Sequence, residues 1–179
     1  MARIYNGRYT AAMEKGVVVF LVGMRVNRFL AMRKWWPIFV SMKNMIVDLE
    51  MHPGKGMVAS QTRISWREIM VVTYWDSYEQ LESYGRSKKE MHLGYWKKYN
   101  KNIGASGVVG IWHECYAVSP GDYECVYVNM PVTGLARSKD IRFLEAKDRL
   151  ETSRLRIGRG ENRPAVPSSM SKVDPDSSQ

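Results

Sequence analysis

The chain has 179 residues, enough for one domain with a sizeable core and hardly enough for two. Its hydrophobic content of 45% with 25% charged residues is typical of a globular protein and excludes disorder over most of its length. The formal charge of +9 comes from separated basic clusters, two of them interrupted by acidic residues, which favours a solvated basic face over a nucleic-acid site.

The cysteine content and the N-terminus indicate a reducing compartment. Cys115 and Cys125 are the only cysteines, and the first residues lack the charged, apolar and small-residue order of a signal peptide. The longest apolar runs are far shorter than the roughly 18 to 20 residues of a membrane helix. We therefore expect a cytoplasmic protein with two buried, reduced thiols.

The first half of the chain predicts one strand and one long helix. Residues 1–15 carry little periodic signal, so we treat them as an N-terminal extension. "GVVVFLVGMRV" at 16–26 is a β-branched, apolar run that predicts a buried strand. Apolar residues then recur every three or four positions over 28–50, which predicts a helix that Pro37 should kink or split.

The middle of the chain predicts two strands, two helices and a hairpin. After the breaker "HPGKG" at 52–56, residues 57–64 and 67–75 have strand character, with a turn at Ser65. Asp76 or Ser77 should cap a short helix, and a second helical stretch covers about 88–100. "GVVGIWHECYAV" and "YECVYVNM" then predict a hairpin across "SPG" at 119–121.

This order predicts an α+β fold of the ferredoxin-like split βαβ type over residues 16–136. Its antiparallel sheet should carry the helices on one face. The other face must be covered, most simply by the same surface of a second subunit, which predicts a homodimer. Residues 137–157 resemble a basic amphipathic helix, and 158–179 have the composition of a disordered tail.

The predicted hairpin sets the neighbours of His113. With Gly121 in the left-handed position of a three-residue loop, Cys115 would lie opposite Cys125 and His113 opposite Tyr127. Successive strand residues face opposite sides, so His113 and Glu114 should not form an acid–base pair. Neither cysteine has the spacing of a zinc ligand, and His113 is either a packed core histidine or a functional group.

Several motifs resemble one known family. "GMRVN" at 23–27, "YW" at 74–75, "GIWHE" at 110–114 and "NMP" at 129–131 resemble the monooxygenase-like proteins of fumagillin-type biosynthesis, formerly a domain of unknown function, from about Val17 to Ala136. That family is similar to the dimeric α+β barrel superfamily, which contains antibiotic-biosynthesis monooxygenases, haem-binding barrels and cofactor-free cyclases. The resemblance implies a tailoring step on a polyketide or terpenoid.

The resemblance also implies which residues act. Oxygenases of this superfamily can work without a metal or flavin, because a deprotonated phenol or enol itself reduces molecular oxygen. His113 is then the candidate base, and four residues are candidate partners for it or for the oxyanion: Tyr127, Asn129, Arg25 and Asn27. Candidates for the substrate pocket are Tyr74, Trp75, His92, Tyr95, Trp96 and Trp112.

Three other functions remain open at this point. The same pocket would serve a cofactor-free cyclase, isomerase or dehydratase. His92 or His113 could be the axial ligand of a haem. Residues 28–45 could lie on anionic lipid, although Pro37 and the resemblance favour a helix that covers the sheet.

Overall fold

The computed structural model describes residues 2–138 and 142–145. The described residues divide into two compact units: a central unit, Val18–Tyr116, and a terminal unit formed by the described parts of Met1–Val17 and Ala117–Gln179. The strands are β1 (Tyr5–Ala12), β2 (Val17–Val26), β3 (Met57–Ile64), β4 (Glu68–Trp75), β5 (Val109–Val118), β6 (Tyr127–Met130) and β7 (Arg142–Glu145). The helices are α1 (Met32–Met51), α2 (Tyr78–Arg86) and α3 (Met91–Asn102).

The central unit has the predicted ferredoxin-like topology. Its sheet has the order β3-β4-β2-β5, and β4 pairs antiparallel with both β2 and β3. The strand–helix–strand–strand–helix–strand order of the sequence is therefore confirmed, with the second helical region divided into α2 and α3. Ser77 caps α2 as expected, because its hydroxyl accepts a hydrogen bond from the Gln80 N–H. Pro37 lies inside α1 without splitting it.

The core of the central unit lies between this sheet and its helices. Alternate residues of β2, Val18 to Val26, pack against α1 residues that recur at helical spacing, including Ile38, Met42 and Leu49. The helix that the apolar spacing predicts thus covers one face of the sheet. No helix in the described part of the chain is long and apolar enough to cross a membrane.

The terminal unit contradicts two expectations, and it contains a strand in the N-terminal segment, where the sequence indicated no element. The N-terminal segment is the strand β1, which pairs antiparallel with both β6 and β7. The predicted hairpin is wrong, because β6 pairs with β1, so that Tyr127 lies opposite Tyr9 rather than His113. Residues 142–145, expected to be helical, form β7; the rest of the predicted helix beyond 145 and the predicted tail lie outside the described residues.

Aromatic packing explains why β6 pairs with β1. Phe143 stacks on Tyr9 at a ring-centroid distance of 4.9 Å and contacts Tyr5 and Tyr127 edge-on at 5.2 and 5.7 Å. Three strands thus share one aromatic cluster, which a two-stranded hairpin of 107–130 would not bury. Gly121 has the expected left-handed conformation (φ 91°) and lies in a turn closed by a hydrogen bond from the Asp122 N–H to the Ser119 carbonyl. The strand that follows this turn, β6, nevertheless pairs with β1 and not with β5.

Candidate functional site

The two faces of the central sheet separate His113 from Glu114. His113 lies two residues beyond Ile111 on β5, and its ring is 5.5 Å from that of Phe20, on the side that faces the helices. Trp112 lies on the other face, where its indole N–H donates to Glu68 over a distance of 2.7 Å. The predicted separation of His113 from Glu114 is therefore confirmed, and the carboxylate of Glu114 instead accepts a hydrogen bond from the Tyr116 hydroxyl.

Apolar packing on the helix-facing side is divided into two clusters. One contains Met24 and Val71, and the other contains Val18 and Trp75. Between Val71 and Trp75 on β4 stands a buried polar residue, Thr73, directly opposite Phe20 of β2. His113 of β5 lies beside Phe20 on the other side of β2, so Phe20 separates the buried Thr73 from the exposed imidazole at the level where the two apolar clusters part.

Thr73 joins the strands and the aromatic residues around this position. Its hydroxyl donates to the Phe20 carbonyl at 3.0 Å and accepts from the Trp75 indole N–H at 2.9 Å. Trp75 in turn packs against Tyr84 with a centroid distance of 5.8 Å. Thr73 therefore fixes both the backbone of Phe20 and the ring of Trp75, which keeps the polar atoms of this buried region paired.

Helix α3 carries the remaining aromatic candidates. The Tyr99 hydroxyl donates to the Val109 carbonyl at 3.0 Å, which ties α3 to the start of β5, and Trp96 stacks on Tyr99 at 5.4 Å while staying exposed. Tyr95 lies under Lys98, whose ammonium is 5.7 Å from its ring centroid. Tyr95 and Trp96, which were predicted to line a substrate pocket, thus both lie on α3.

His92 has a fixed tautomer. Its Nδ1 lies 3.0 Å from the Gly85 carbonyl oxygen, and because a carbonyl only accepts, this nitrogen must carry the proton. In this tautomer Nε2 is the ring nitrogen that carries the lone pair. His92 also packs 6.2 Å from the ring of Tyr84, so it belongs to the Trp75 end of the helix-facing side.

A charged cluster lies beside Tyr84. The Lys55 ammonium is 2.5 Å from Asp48 and 2.6 Å from Glu90, and hydrogen bonds to these carboxylates raise the pKa of Lys55. The Tyr84 hydroxyl is buried and has no hydrogen-bond partner among the described residues. Burial, and to a lesser degree the charges of Asp48 and Glu90, raise the pKa of Tyr84, so its phenol stays protonated.

Within the central unit, the structure does not place the predicted partners Arg25 and Asn27 beside His113. Arg25 alternates with Met24 and faces the opposite side of the sheet, and the Asn27 side chain donates to the Gly107 carbonyl at 3.1 Å beyond the strand end. Tyr127 and Asn129 belong to β6 of the terminal unit. Asn129, with a φ of 53°, accepts a hydrogen bond from the Gly7 N–H at an irregularity between β1 and β6.

Two predicted pocket residues also lie away from His113. Tyr74 follows the alternation of β4 onto the face opposite Thr73, and Trp112 packs across Gly23 on that same face. The cysteines do not match the expected buried pair: Cys115 is exposed, Cys125 is half-buried, and both are free. Burial raises the pKa of the Cys125 thiol.

Sequence reasoning missed three residues of this region: Phe20, Thr73 and Tyr84. Thr73 is the one residue in "IMVVTYW" that is neither aliphatic nor sulfur-containing nor aromatic, and a period of two from Trp75 would have placed it on the buried face. Phe20 shares that face through the strand register. Nothing in the sequence indicates that the Tyr84 hydroxyl is unpartnered, because this depends on how α2 packs.

Solved structures similar to the chain share its fold. Two are aldoxime dehydratases, one of them OxdRE in complex with butyraldoxime, with TM-scores of 0.61 and identities of 17% and 15%. Each alignment covers 76% of this chain but only 43% and 44% of theirs, so the chain spans less than half of their length. A weaker likeness (TM-score 0.41, 10% identity) is to SnoaB, a cofactor-independent oxygenase from Streptomyces nogalater, with 56% of this chain and 90% of that one covered.

Sequence comparison assigns the family. No curated protein matches the sequence significantly. The Monooxygenase af470-like family matches residues 17–135, about two thirds of the chain and nearly the span of the motif resemblance. This match supports an enzyme of the monooxygenase or a related type. The chain belongs to the Monooxygenase af470-like family.

Proposed function

We propose that the protein is a cofactor-independent monooxygenase that tailors an electron-rich, apolar secondary metabolite such as a polyketide or a terpenoid. The observation that carries this proposal is the position of His113, an exposed imidazole 5.5 Å from Phe20 where the core is interrupted at Thr73. A planar phenol or enol that lies on Phe20 would present its acidic proton to His113. Membership in a monooxygenase-like family supports molecular oxygen as the second substrate.

The proposed reaction needs one base and no external reductant. His113 removes a proton, and the resulting anion gives one electron to molecular oxygen. The substrate radical and superoxide combine at carbon to a peroxide, which takes the proton back from His113. A carbon that also carries hydrogen then becomes a carbonyl as water leaves, so one oxygen atom stays on the substrate and the other is released as water.

The geometry of α3 supports its role as one wall of the pocket. Only six residues connect α3 to β5, so the two elements run antiparallel, and Tyr99 bonds to Val109 at their shared end. One turn of α3 toward its N-terminus rises about 6 Å, which is about the length of two residues of β5. Tyr95 therefore lies near the level of Ile111, and His92 near that of His113. We propose Phe20, Tyr95 and Trp96 as the aromatic surface that holds the substrate.

An oxygen electrode tests this proposal. Anthrone is a suitable probe because its enol is an electron-rich phenol. Dialysed, metal-free protein should consume oxygen with anthrone faster than buffer does, and the product should be the corresponding quinone. Conversion of a probe without oxygen uptake would favour the cyclase, isomerase or dehydratase activity instead. Activity that disappears with a chelator and returns with a metal ion would contradict the cofactor-free mechanism.

Haem binding is the second candidate, and His92 is the observation that favours it. A histidine whose Nδ1–H is held by a carbonyl presents Nε2 for ligation, an arrangement common among metal-binding histidines. The half-buried ring of His92 between α3 and Tyr84 fits that role better than exposed His113. A haem would supply redox chemistry, while Tyr95 and Trp96 would contact the macrocycle. Titration with haemin should give a Soret shift that His92→Ala abolishes if this candidate is correct.

We further propose that the protein is a cytoplasmic homodimer. Two free cysteines, one of them exposed, suit a reducing compartment. The face opposite the helices carries exposed Tyr116 and Glu114, which a second subunit would cover. Size-exclusion chromatography with light scattering should give a mass of twice 20.7 kDa, and a monomeric mass at all concentrations would contradict the dimer.

A further inference from the structure

An exposed apolar surface lies at one end of the central unit. Leu30 is 100% exposed in the loop before α1, and Trp66 and Ile64 are 80% and 72% exposed around the turn between β3 and β4. Phe29 and Trp36 are also exposed. We name Phe29, Leu30, Trp36, Ile64 and Trp66 the aromatic tip. Large apolar side chains exposed together in this way mark an interaction surface.

Ring stacking holds the aromatic tip in shape. Phe29 stacks on Trp66 with a centroid distance of 5.6 Å and an interplanar angle of 8°, which joins the loop before α1 to the β3–β4 turn. Phe29 also packs on Trp35 at 5.6 Å, and the Trp35 indole donates to the Phe29 carbonyl at 2.9 Å. Trp36 contacts Trp35 in turn. These ring contacts therefore hold Phe29, Trp36 and Trp66 in one arrangement.

Basic residues surround the aromatic tip. The two sequence segments that form it, 25–36 and 61–67, contain no aspartate or glutamate. They contain exposed cations on both sides of the apolar residues, at Arg28, Arg33, Lys34, Arg63 and Arg67. The surface thus combines projecting tryptophan and leucine side chains with a positive rim, a combination that suits the boundary between lipid headgroups and acyl chains.

We propose that the aromatic tip docks on the surface of an anionic lipid bilayer. Leu30, Ile64 and Trp66 would enter the acyl boundary while the rim cations meet anionic headgroups. A second copy fits poorly, because packing tip against tip would bring two sets of cations together. A nucleic acid would use the aromatic rings and cations but would leave the aliphatic Leu30 and Ile64 without an apolar partner.

The docking surface is compatible with the packing of α1. Ile38, Met42 and Leu49 bury the sheet-facing side of this helix, while Trp36 and the preceding loop project from its first turns. The helix therefore covers the core and still contributes to the tip. Unlike a helix that lies along the membrane over residues 28–45, this arrangement uses only the N-terminal end of α1 together with the β3–β4 turn. It does not depend on the proposed oxygenase activity.

Vesicle co-sedimentation of the full chain tests the proposal. The probes are vesicles of pure phosphatidylcholine and of phosphatidylcholine mixed with phosphatidylserine. The test variant is Leu30→Ser/Trp66→Ser, in which both positions lie in loops outside helices and strands. The control is Met51→Ser, a 70% exposed apolar residue at the opposite end of α1, about 28 Å along the helix. Arg28→Gln/Arg67→Gln tests the rim.

We expect the protein to bind the mixed vesicles at low salt. Its binding to pure phosphatidylcholine vesicles, or to the mixed vesicles at high salt, should be at least about tenfold weaker. The Leu30/Trp66 variant should lose at least about tenfold in partitioning, the Arg28/Arg67 variant should lose binding and salt sensitivity, and Met51→Ser should bind as the parent does. Absence of binding to mixed vesicles, or an equal loss in Met51→Ser, would overturn the proposal. So would oligomers that Leu30→Ser/Trp66→Ser abolishes, or tighter binding to a single-stranded oligonucleotide.

Discussion

Replacing Thr73 with valine should destabilise the central unit strongly for a substitution that hardly changes volume. The Thr73 hydroxyl both donates to the Phe20 carbonyl and accepts from the Trp75 indole, and Thr73 and Trp75 are each 2% exposed. Loss of the first bond costs about 1 kcal/mol, and the buried indole N–H left without a partner costs about 1 to 3 kcal/mol. The free energy of unfolding should therefore fall by about 2 to 4 kcal/mol.

A double-mutant cycle isolates the part due to the unpaired indole. Trp75→Phe removes the N–H, so Thr73→Val/Trp75→Phe should cost less than the sum of the single variants by about 1 to 2 kcal/mol. Urea denaturation followed by far-ultraviolet circular dichroism measures all three variants, with Thr62→Val at the exposed end of β3 as the matched control. A cost below about 0.5 kcal/mol for Thr73→Val, or strict additivity, would refute the reasoning.

Three further predictions concern other contacts. Gly23→Ala should lower the free energy of unfolding by about 1 to 3 kcal/mol, measured in urea, because a Cβ there would overlap the indole of Trp112; full stability would show that the ring moves freely. Tyr84→Phe should not destabilise the protein at neutral pH, because the hydroxyl has no hydrogen-bond partner among the residues that the structure describes. Because the pKa of Tyr84 is raised in the folded protein, its contribution to the free energy of unfolding is fully present below the ordinary pKa of tyrosine and is lost as pH rises toward the folded pKa. Thermal melts of Tyr84→Phe should therefore show a weaker loss of stability at alkaline pH than those of the wild type. An unchanged alkaline loss would be contrary evidence. In timed iodoacetamide labelling read by mass spectrometry, exposed Cys115 should react before half-buried Cys125, and the reverse order would conflict with their burial.

The central unit could be predicted from local patterns. Strands 57–64 and 68–75 have clear β-branched runs around a polar turn, and the Ser77 cap marks the start of α2. The opposite orientation of His113 and Glu114 also followed, because it depends only on the two-residue period of a strand. This part of the site was predictable without knowledge of the strand pairing.

The terminal unit could not be predicted in the same way. Pairing of β6 with β1 joins residues more than a hundred positions apart, and short turn signals at 119–121 favoured the local alternative. Tyr9, Tyr127 and Phe143 meet only after that pairing has formed. The turn at 119–121 therefore predicted a cross-strand position opposite His113 for Tyr127, whereas β6, which carries Tyr127 and Asn129, pairs with β1.

Oxygen uptake by His113 variants tests the central claim most directly. With anthrone as the probe, His113→Ala should reduce kcat by about 100-fold or more, as expected when a general base is removed, and small imidazole in the buffer should restore part of the rate. Glu114→Gln, the adjacent residue on the opposite face, should keep the parent rate. Undiminished oxygen uptake by His113→Ala, or an equal loss in Glu114→Gln, would contradict the assignment of His113 as the base.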